Sequence, residues 1–360
     1  MGECNPLCIA ELVEACMDHV NTPGDLAACA LVSRLWVHPA QSRLFRAPYI
    51  TEWHRFLNML ATSRHLIPHI RQLRIRPEDV ATLARICAVP FTHLQSTVVI
   101  LSGDYLPCGS VAALQQLFRL PTLRRVELHC FLNNEGEFAS IWDQCAPNIK
   151  DITLNCRVDH PLLGIDVDPL RPATPSPGGI LLQSLRMHSP QMLDSTLIRQ
   201  NSHPFNLSKL KFLSIGWRAH VPWPNFAPVV RSIEGLDIVV NASAASLDLS
   251  AFPNLTFLRI SLPFWIPPER RLAMLDQLFS TLSPANILET LVICPSNGVV
   301  QMDGMLCMTL DAKLSSGPFS PTLAVELEVE QTVYGGIWPF FSTLNARNSL
   351  GRTEGRVSWW

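Results

Sequence analysis

The chain has 360 residues, 48% of them hydrophobic and only 16% charged, with a formal net charge of −2. This length allows one large domain or two to three ordinary ones, and the near-neutral balance argues against a general nucleic-acid or anionic-membrane binder. The 11 cysteines are odd in number and sit mostly in apolar runs (Cys16, Cys29, Cys87, Cys130, Cys294), so they read as small buried hydrophobes in a reducing compartment.

No apolar run approaches the ~18 residues of a membrane span. The first residues lack the basic-then-apolar pattern of a signal peptide. A cytoplasmic or nuclear location is therefore expected, with no membrane partner.

Residues 5–50 read as three short helices. Asn5 and Pro6 suit the cap and first turn of the first helix. Leu12, Cys16 and Val20 recur at i, i+4 and i+8, which places them on one face. The run Asn21 to Asp25 is a turn, and Asp25 is the expected N-cap of the second helix. That helix, Leu26 to Val32, is apolar nearly all round and is expected to be buried. Pro39 is expected to open a third helix ending near Phe45.

After residue 60 the pattern changes to short apolar triplets of the form L-x-x-L-x-L, often preceded by Pro. They run through Ile70/Leu73/Ile75, Leu123/Val126/Leu128, Ile149/Ile152/Leu154, Leu182/Leu185/Met187, Leu210/Leu213/Ile215, Ile233/Leu236/Ile238, Leu255/Leu258/Ile260 and Leu288/Leu291/Ile293. A weaker copy ends in Val98 and Ile100, and another in Val325 and Leu327. Successive copies lie 22 to 34 residues apart. Helix-like stretches, such as Val111–Phe118 and Arg270–Phe279, lie between them. The run 168–179, rich in Pro and Gly, reads as an inserted loop.

A strand followed by a helix, repeated about ten times at this spacing, resembles leucine-rich repeats. The expected fold is α/β: a three-helix N-terminal module, then an irregular leucine-rich-repeat-like solenoid with a curved parallel sheet. The Asn or Cys that follows the strand in strict repeats is rarely present here, so irregular turns are expected. The expected divisions are 1–50 for the helices, 51–345 for the solenoid and 346–360 for a tail or cap.

In each L-x-L strand the apolar residues point inward and the middle one to the concave face, because strand side chains alternate. That surface is Arg74, Glu127, Thr153, Arg186, Ser214, Asp237, Arg259 and Glu326, extended by Arg76, Arg125, His129, Asn155, His188, Trp217 and Glu328. Its mixed charge suits a protein partner better than a nucleic acid, and it equally fits a merely solvated sheet face. Two aromatic loops, Trp217 to Phe226 and Phe264 to Pro268, are either hot spots or folds over a repeat edge. The basic run Arg64, His65, His69, Arg71, Arg74 and Arg76 could steer an acidic segment or form the exposed face of the first strand. Thr174-Pro175 and Ser176-Pro177 are weak phosphorylation candidates.

The run Asp25-Leu26-Ala27-Ala28-Cys29-Ala30-Leu31-Val32-Ser33-Arg34-Leu35-Trp36, followed by Pro39-Ala40-Gln41-Ser42 and Leu44-Phe45, resembles the F-box of fungal proteins. The resemblance covers about an eighth of the chain. Its first half departs from the family's opening Leu-Pro-x-Glu-Leu: Glu11-Leu12 are present, with Cys8 and Ile9 before them and Pro6-Leu7 in reversed order. The resemblance implies that Leu26, Leu31, Val32, Trp36 and Phe45 pack within the module and that their exposed part docks a Skp-type adaptor. With Leu12 and Cys16 they form the expected adaptor-binding set. It further implies a substrate-receptor subunit of an SCF-type (Skp–cullin–F-box) ubiquitin ligase, joined through the adaptor to a cullin scaffold and holding an unknown protein substrate on the solenoid. The alternative is a repeat scaffold with a degenerate F-box-like cap.

No Gly-rich phosphate loop, H-E-x-x-H or G-x-S-x-G occurs. Cys4, Cys8, Cys16 and His19 fit no common zinc spacing. No enzyme activity, metal or cofactor is expected.

Overall fold

In this computed structural model the described residues are 10–101, 103, 106–158, 179–188, 205–216, 227–239, 247–263, 266–283, 286–296 and 323–327, with 308–309, 311–312, 314, 319 and 350–352. The chain divides into two compact units, Met1–Leu170 with Ser176–Ile180 and Arg171–Pro175 with Leu181–Trp360. Each is mixed α/β with a parallel sheet.

The first unit opens with α1 (Ala10–Met17), α2 (Pro23–Val32), α3 (Arg34–Leu44), α4 (Trp53–Thr62) and a 3-10 helix at Arg64–His69. Strands β1 (Gln72–Ile75), β2 (Ser96–Ile100), β3 (Arg125–Leu132) and β4 (Asp151–Val158) then pair in parallel, each with its sequence neighbours. Between them run α5 (Val80–Cys87), α6 (Ser110–Phe118) and α7 (Glu135–Trp142). Local chemistry starts these helices. Asp79 accepts the Thr82 N–H at 2.6 Å. Asn134 accepts the Glu137 N–H as the side-chain cap, and the Glu137 carboxylate accepts the N–H of Asn133, one residue before the cap, at 2.9 Å. Gly109 enters α6 at φ +91, where a side chain would be strained. The helices bury Leu114, Leu117 and Phe118, and the Phe118 ring stacks on Trp142 at 5.0 Å.

In the second unit β5 (Ser184–Met187), β6 (Phe212–Gly216), β7 (Gly235–Val239), β8 (Phe257–Pro263), β9 (Thr290–Ser296), β10 (Ala324–Leu327) and β11 (Leu350–Arg352) continue the same rule. Each pairs in parallel with its neighbour. The long helix α8 (Pro268–Ser280) joins β8 to β9. All ten expected strands are present in the expected order, and β11 lies within the segment read as tail or cap.

The register corrects one frame. Thr97 and Val99 pair with Leu73 and Ile75 and both are fully buried, so the weak copy is Leu94/Thr97/Val99. The expected inward residues Val98 and Ile100 are half-exposed. A hydroxyl occupies the apolar position because it donates to the Leu73 carbonyl at 3.3 Å, which satisfies the buried polar group.

The turns are less irregular than the sequence suggests. At most of the described strand entrances one carbonyl accepts two consecutive N–H groups from the entry to the next strand. Arg46 O takes those of Arg71 and Gln72, Arg71 O those of Gln95 and Ser96, and Gln95 O those of Arg124 and Arg125. Gln183, Lys211, Glu234 and Thr256 do the same in the second unit. A side-chain ladder runs beside this one. Asn148 donates to Pro121 O at 2.7 Å and Asn254 to Arg231 O at 2.6 Å. Thr122 and Ser232 donate to Leu94 O and Leu210 O, each at 2.8 Å. All four directly precede the first apolar residue of a triplet. The hydrogen-bonded ladder therefore sits at the strand entrances, whereas strict repeats carry theirs after the strand.

Four helix details differ from expectation. Thr22, not Asp25, caps α2: it accepts the Asp25 N–H at 3.1 Å, and Pro23 takes the first turn, where its missing donor costs nothing. Pro39 lies inside α3. The helix instead begins at Arg34, because Ser33 is extended (φ −162, ψ 164) and separates it from α2. In α1 the buried residues are Val13 and Met17, while Leu12 and Cys16 face outward. In α2 only Leu26 is buried, because α2 packs on α3 along one seam, and three helices are too few to cover a helix on all sides.

Candidate protein-docking surfaces

The N-terminal helices separate packing residues from exposed ones. Met17, Leu26 and Ala40 form a small core, against which Val20, Cys29, Ala30, Trp36 and Leu44 pack. Arg43 pairs with Asp18 and ties α3 to the end of α1. Phe45 is half-buried and ends α3, its N–H donating to Gln41 O at 2.9 Å. Leu26 and Trp36 of the expected adaptor-binding set thus hold the module together. Leu31 and Val32 do not: they are 88% and 63% exposed. Leu12 and Leu35 are also exposed, at 46% and 38%, and Cys16 is exposed. Leaving a large aliphatic side chain in water forgoes ~1.5–3 kcal/mol. Sequence reasoning missed Leu35; its place between Arg34 and Trp36 in the motif was the available signal.

On the sheet faces, register aligns the expected surface residues. In the first unit Arg74, Val98, Glu127 and Thr153 are successive partners. In the second the row is Arg186, Ser214, Asp237, Arg259, Val292 and Glu326. Val98 joins the first row only through the corrected frame, having been expected to point inward; Val292 was overlooked because it is apolar, and it is buried.

Beside the first row, His129 donates through Nε2 to Glu127 at 2.6 Å and accepts at Nδ1 from the Asn155 amide at 3.1 Å. The Nε2–H tautomer satisfies both bonds. In the second row Ser214 is buried, and its hydroxyl donates to the Asp237 carboxylate at 3.0 Å. Arg259 lies 3.5 Å from the same oxygen and donates through Nε to the Cys294 sulfur at 3.1 Å. One pleat away, the Phe212 and Phe257 rings meet across Gly235 at 6.3 Å, and the Arg186 guanidinium lies 5.1 Å above Phe212. These are cross-linked polar and aromatic rows that can present a rigid contact surface.

The described cysteines are free thiols. Cys16 is exposed and Cys29 half-buried, unlike the buried positions expected of them: Cys16 faces outward on α1, and Cys29 packs only at the edge of the helical core. Burial pushes the Cys87 and Cys145 thiols up to about 12. The Cys156 thiol is raised by its hydrogen bond with Cys130 and by burial. Such thiols stay protonated and are poor nucleophiles. The His69 ring meets His38 edge-on at 5.0 Å. Burial, then His38, His65, Arg71 and His93, lower its proton affinity.

Among the described residues no group of three His, Cys, Asp or Glu could hold a metal ion, and no helix is long and apolar enough to cross a membrane. The segment compared with the F-box opening (Pro6 to Ile9), Cys4, the aromatic loops at 217–226 and 264–265, the Thr174 and Ser176 dipeptides, and Glu328 lie outside the described residues. No family model matches the chain, and no curated protein matches it.

Proposed function

We propose that this protein is a substrate-receptor subunit of an SCF-type ubiquitin ligase. Its N-terminal helices would form an F-box that docks a Skp-type adaptor and, through it, a cullin scaffold. The leucine-rich-repeat-like strands would hold a protein substrate on their polar face. Catalysis would then be proximity alone: substrate lysines are concentrated near a thioester that the receptor does not carry. The observation that carries this reading is the exposure of Leu31 and Val32, 88% and 63%, inside the motif-bearing helix. They contribute little to the fold, and their exposure leaves them available to a partner.

The second reading, a repeat scaffold with a helical cap, has one observation in its favour. The Arg46 carbonyl, just past α3, makes the first rung of the backbone ladder, as a capping element would.

The test is a pull-down of purified adaptor with full-length protein and with the double variant Leu31→Asp/Val32→Asp. Because both side chains are exposed, the variant's stability should change by no more than about 0.5 kcal/mol per site. Adaptor affinity should fall at least ~30-fold, as loss of a hot spot does. Equal adaptor binding by both proteins would refute the docking role. Binding by neither would favour the scaffold.

A further inference from the structure

The first unit contains a groove that neither the adaptor surface nor the sheet face uses. It lies where the last turns of α4 and α5 meet the 3-10 helix, and its volume is about 430 Å³. This falls within the ~300–1,000 Å³ of ordinary ligand pockets. Its floor is aliphatic: Leu57, Leu60 and Ile67 are buried beneath it, and Val89 forms one wall. Ala61 and Ala88 are exposed at its edge, where larger side chains would fill it.

The charged lining is of one sign. Arg64 and Arg85 line the groove and are exposed, and neither makes an ion pair among the described residues. Both follow or belong to a helix end, whose dipole offsets about half a charge each, so the lining stays positive. Between residues 64 and 85 the chain carries five arginines against two acids, Glu78 and Asp79. Asp79 is already engaged in capping α5. The groove has no aromatic lining on which a nucleic-acid base could stack.

We infer that this groove docks a short protein segment in which large aliphatic side chains are interspersed among carboxylates. The aliphatic groups fill the floor, and the carboxylates meet Arg64 and Arg85 at the rim. Arginine suits this role, since its planar fork pairs with a carboxylate through two hydrogen bonds. The inference does not depend on the adaptor reading, and adaptor binding reports separately on that.

The probe is a fluorescein-labelled nine-residue peptide with three leucines and six glutamates, titrated into full-length protein by anisotropy. A twin peptide carries lysine in place of every glutamate. The expected result is saturable binding of the acidic peptide alone, weakened at high salt. Arg64→Glu/Arg85→Glu should weaken it at least tenfold, and so should Ala88→Leu, which fills the groove and leaves the charge. Both variants should retain the parent thermal unfolding and adaptor pull-down. No binding of the acidic peptide, equal binding of both peptides, or unchanged binding by the variants would each overturn the inference. So would a groove-dependent dimer of the chain, or groove-dependent uptake of oleate with the peptide ignored.

Discussion

Gly235 offers a direct test of how the second sheet face is built. A Cβ added there would lie 2.8 Å from Cδ2 and 3.4 Å from Cε2 of Phe212, and 3.7 Å from Phe257. The contact at 2.8 Å cannot stand, so Gly235→Ala must displace the Phe212 ring. That ring is held by Phe257 on one side and by the Arg186 guanidinium above it. Losing the ring pair costs ~0.5–1.5 kcal/mol, and losing the cation–π contact costs ~0.5–1 kcal/mol. Replacing glycine in a strand returns ~0.5–1 kcal/mol of backbone entropy. The net expectation is a destabilisation of about 1 kcal/mol, or ~2–4 °C in the melting temperature of a unit this size. Calorimetry of full-length protein reads this. The double variant Gly235→Ala/Phe212→Ala should show coupling, because without the Phe212 ring the alanine methyl keeps only an ordinary contact with Phe257 at 3.7 Å and its entropic gain remains. A single Gly235→Ala that is as stable as the parent, or strict additivity in the double variant, would refute the reasoning.

Thr97→Val should be neutral to within about 1 kcal/mol, since it restores the apolar triplet while removing one hydroxyl bond; a larger loss by chemical denaturation would show that the register assignment misjudges that site. Asn148→Ala and Asn254→Ala should each cost ~1 kcal/mol through the lost strand-entrance bond, and unchanged denaturation midpoints would deny the ladder any energetic role. His69 has its proton affinity lowered in the folded chain, so the unfolded chain binds the proton more readily. Stability should therefore fall as pH drops from the unfolded value of 6.5 through the lower folded value, and His69→Gln should flatten that part of a melting-temperature profile between pH 7 and 5. A profile identical in variant and parent would remove His69 as the cause. Trp36→Ala should destabilise the N-terminal helices, whereas Leu31→Asp should not, and circular dichroism melts of the two variants separate packing from display.

The strand positions were legible in the sequence by themselves. The apolar triplets recur with period two inside each strand, and a residue such as Leu213 or Leu236 has no stable place except beneath a sheet. The same alternation put Glu127, Asp237 and Arg259 on the opposite face. The helical character of residues 10–44 was equally legible, since local capping and turn signals are short-range. What local patterns could not decide was which side of each helix finds a neighbour. Leu12, Leu31 and Val32 are as hydrophobic as Met17 and Leu26, and only the packing of α1 and α2 on α3 buries some and exposes the others. The frame at Thr97 was hidden because a hydroxyl counts as polar until a carbonyl one strand away satisfies it. The entrance ladder was hidden because each rung joins residues more than twenty positions apart, as Asn254 joins Arg231. The groove beside Arg64 and Arg85 also belongs to the tertiary structure, where two helix ends and a 3-10 turn meet over an aliphatic floor.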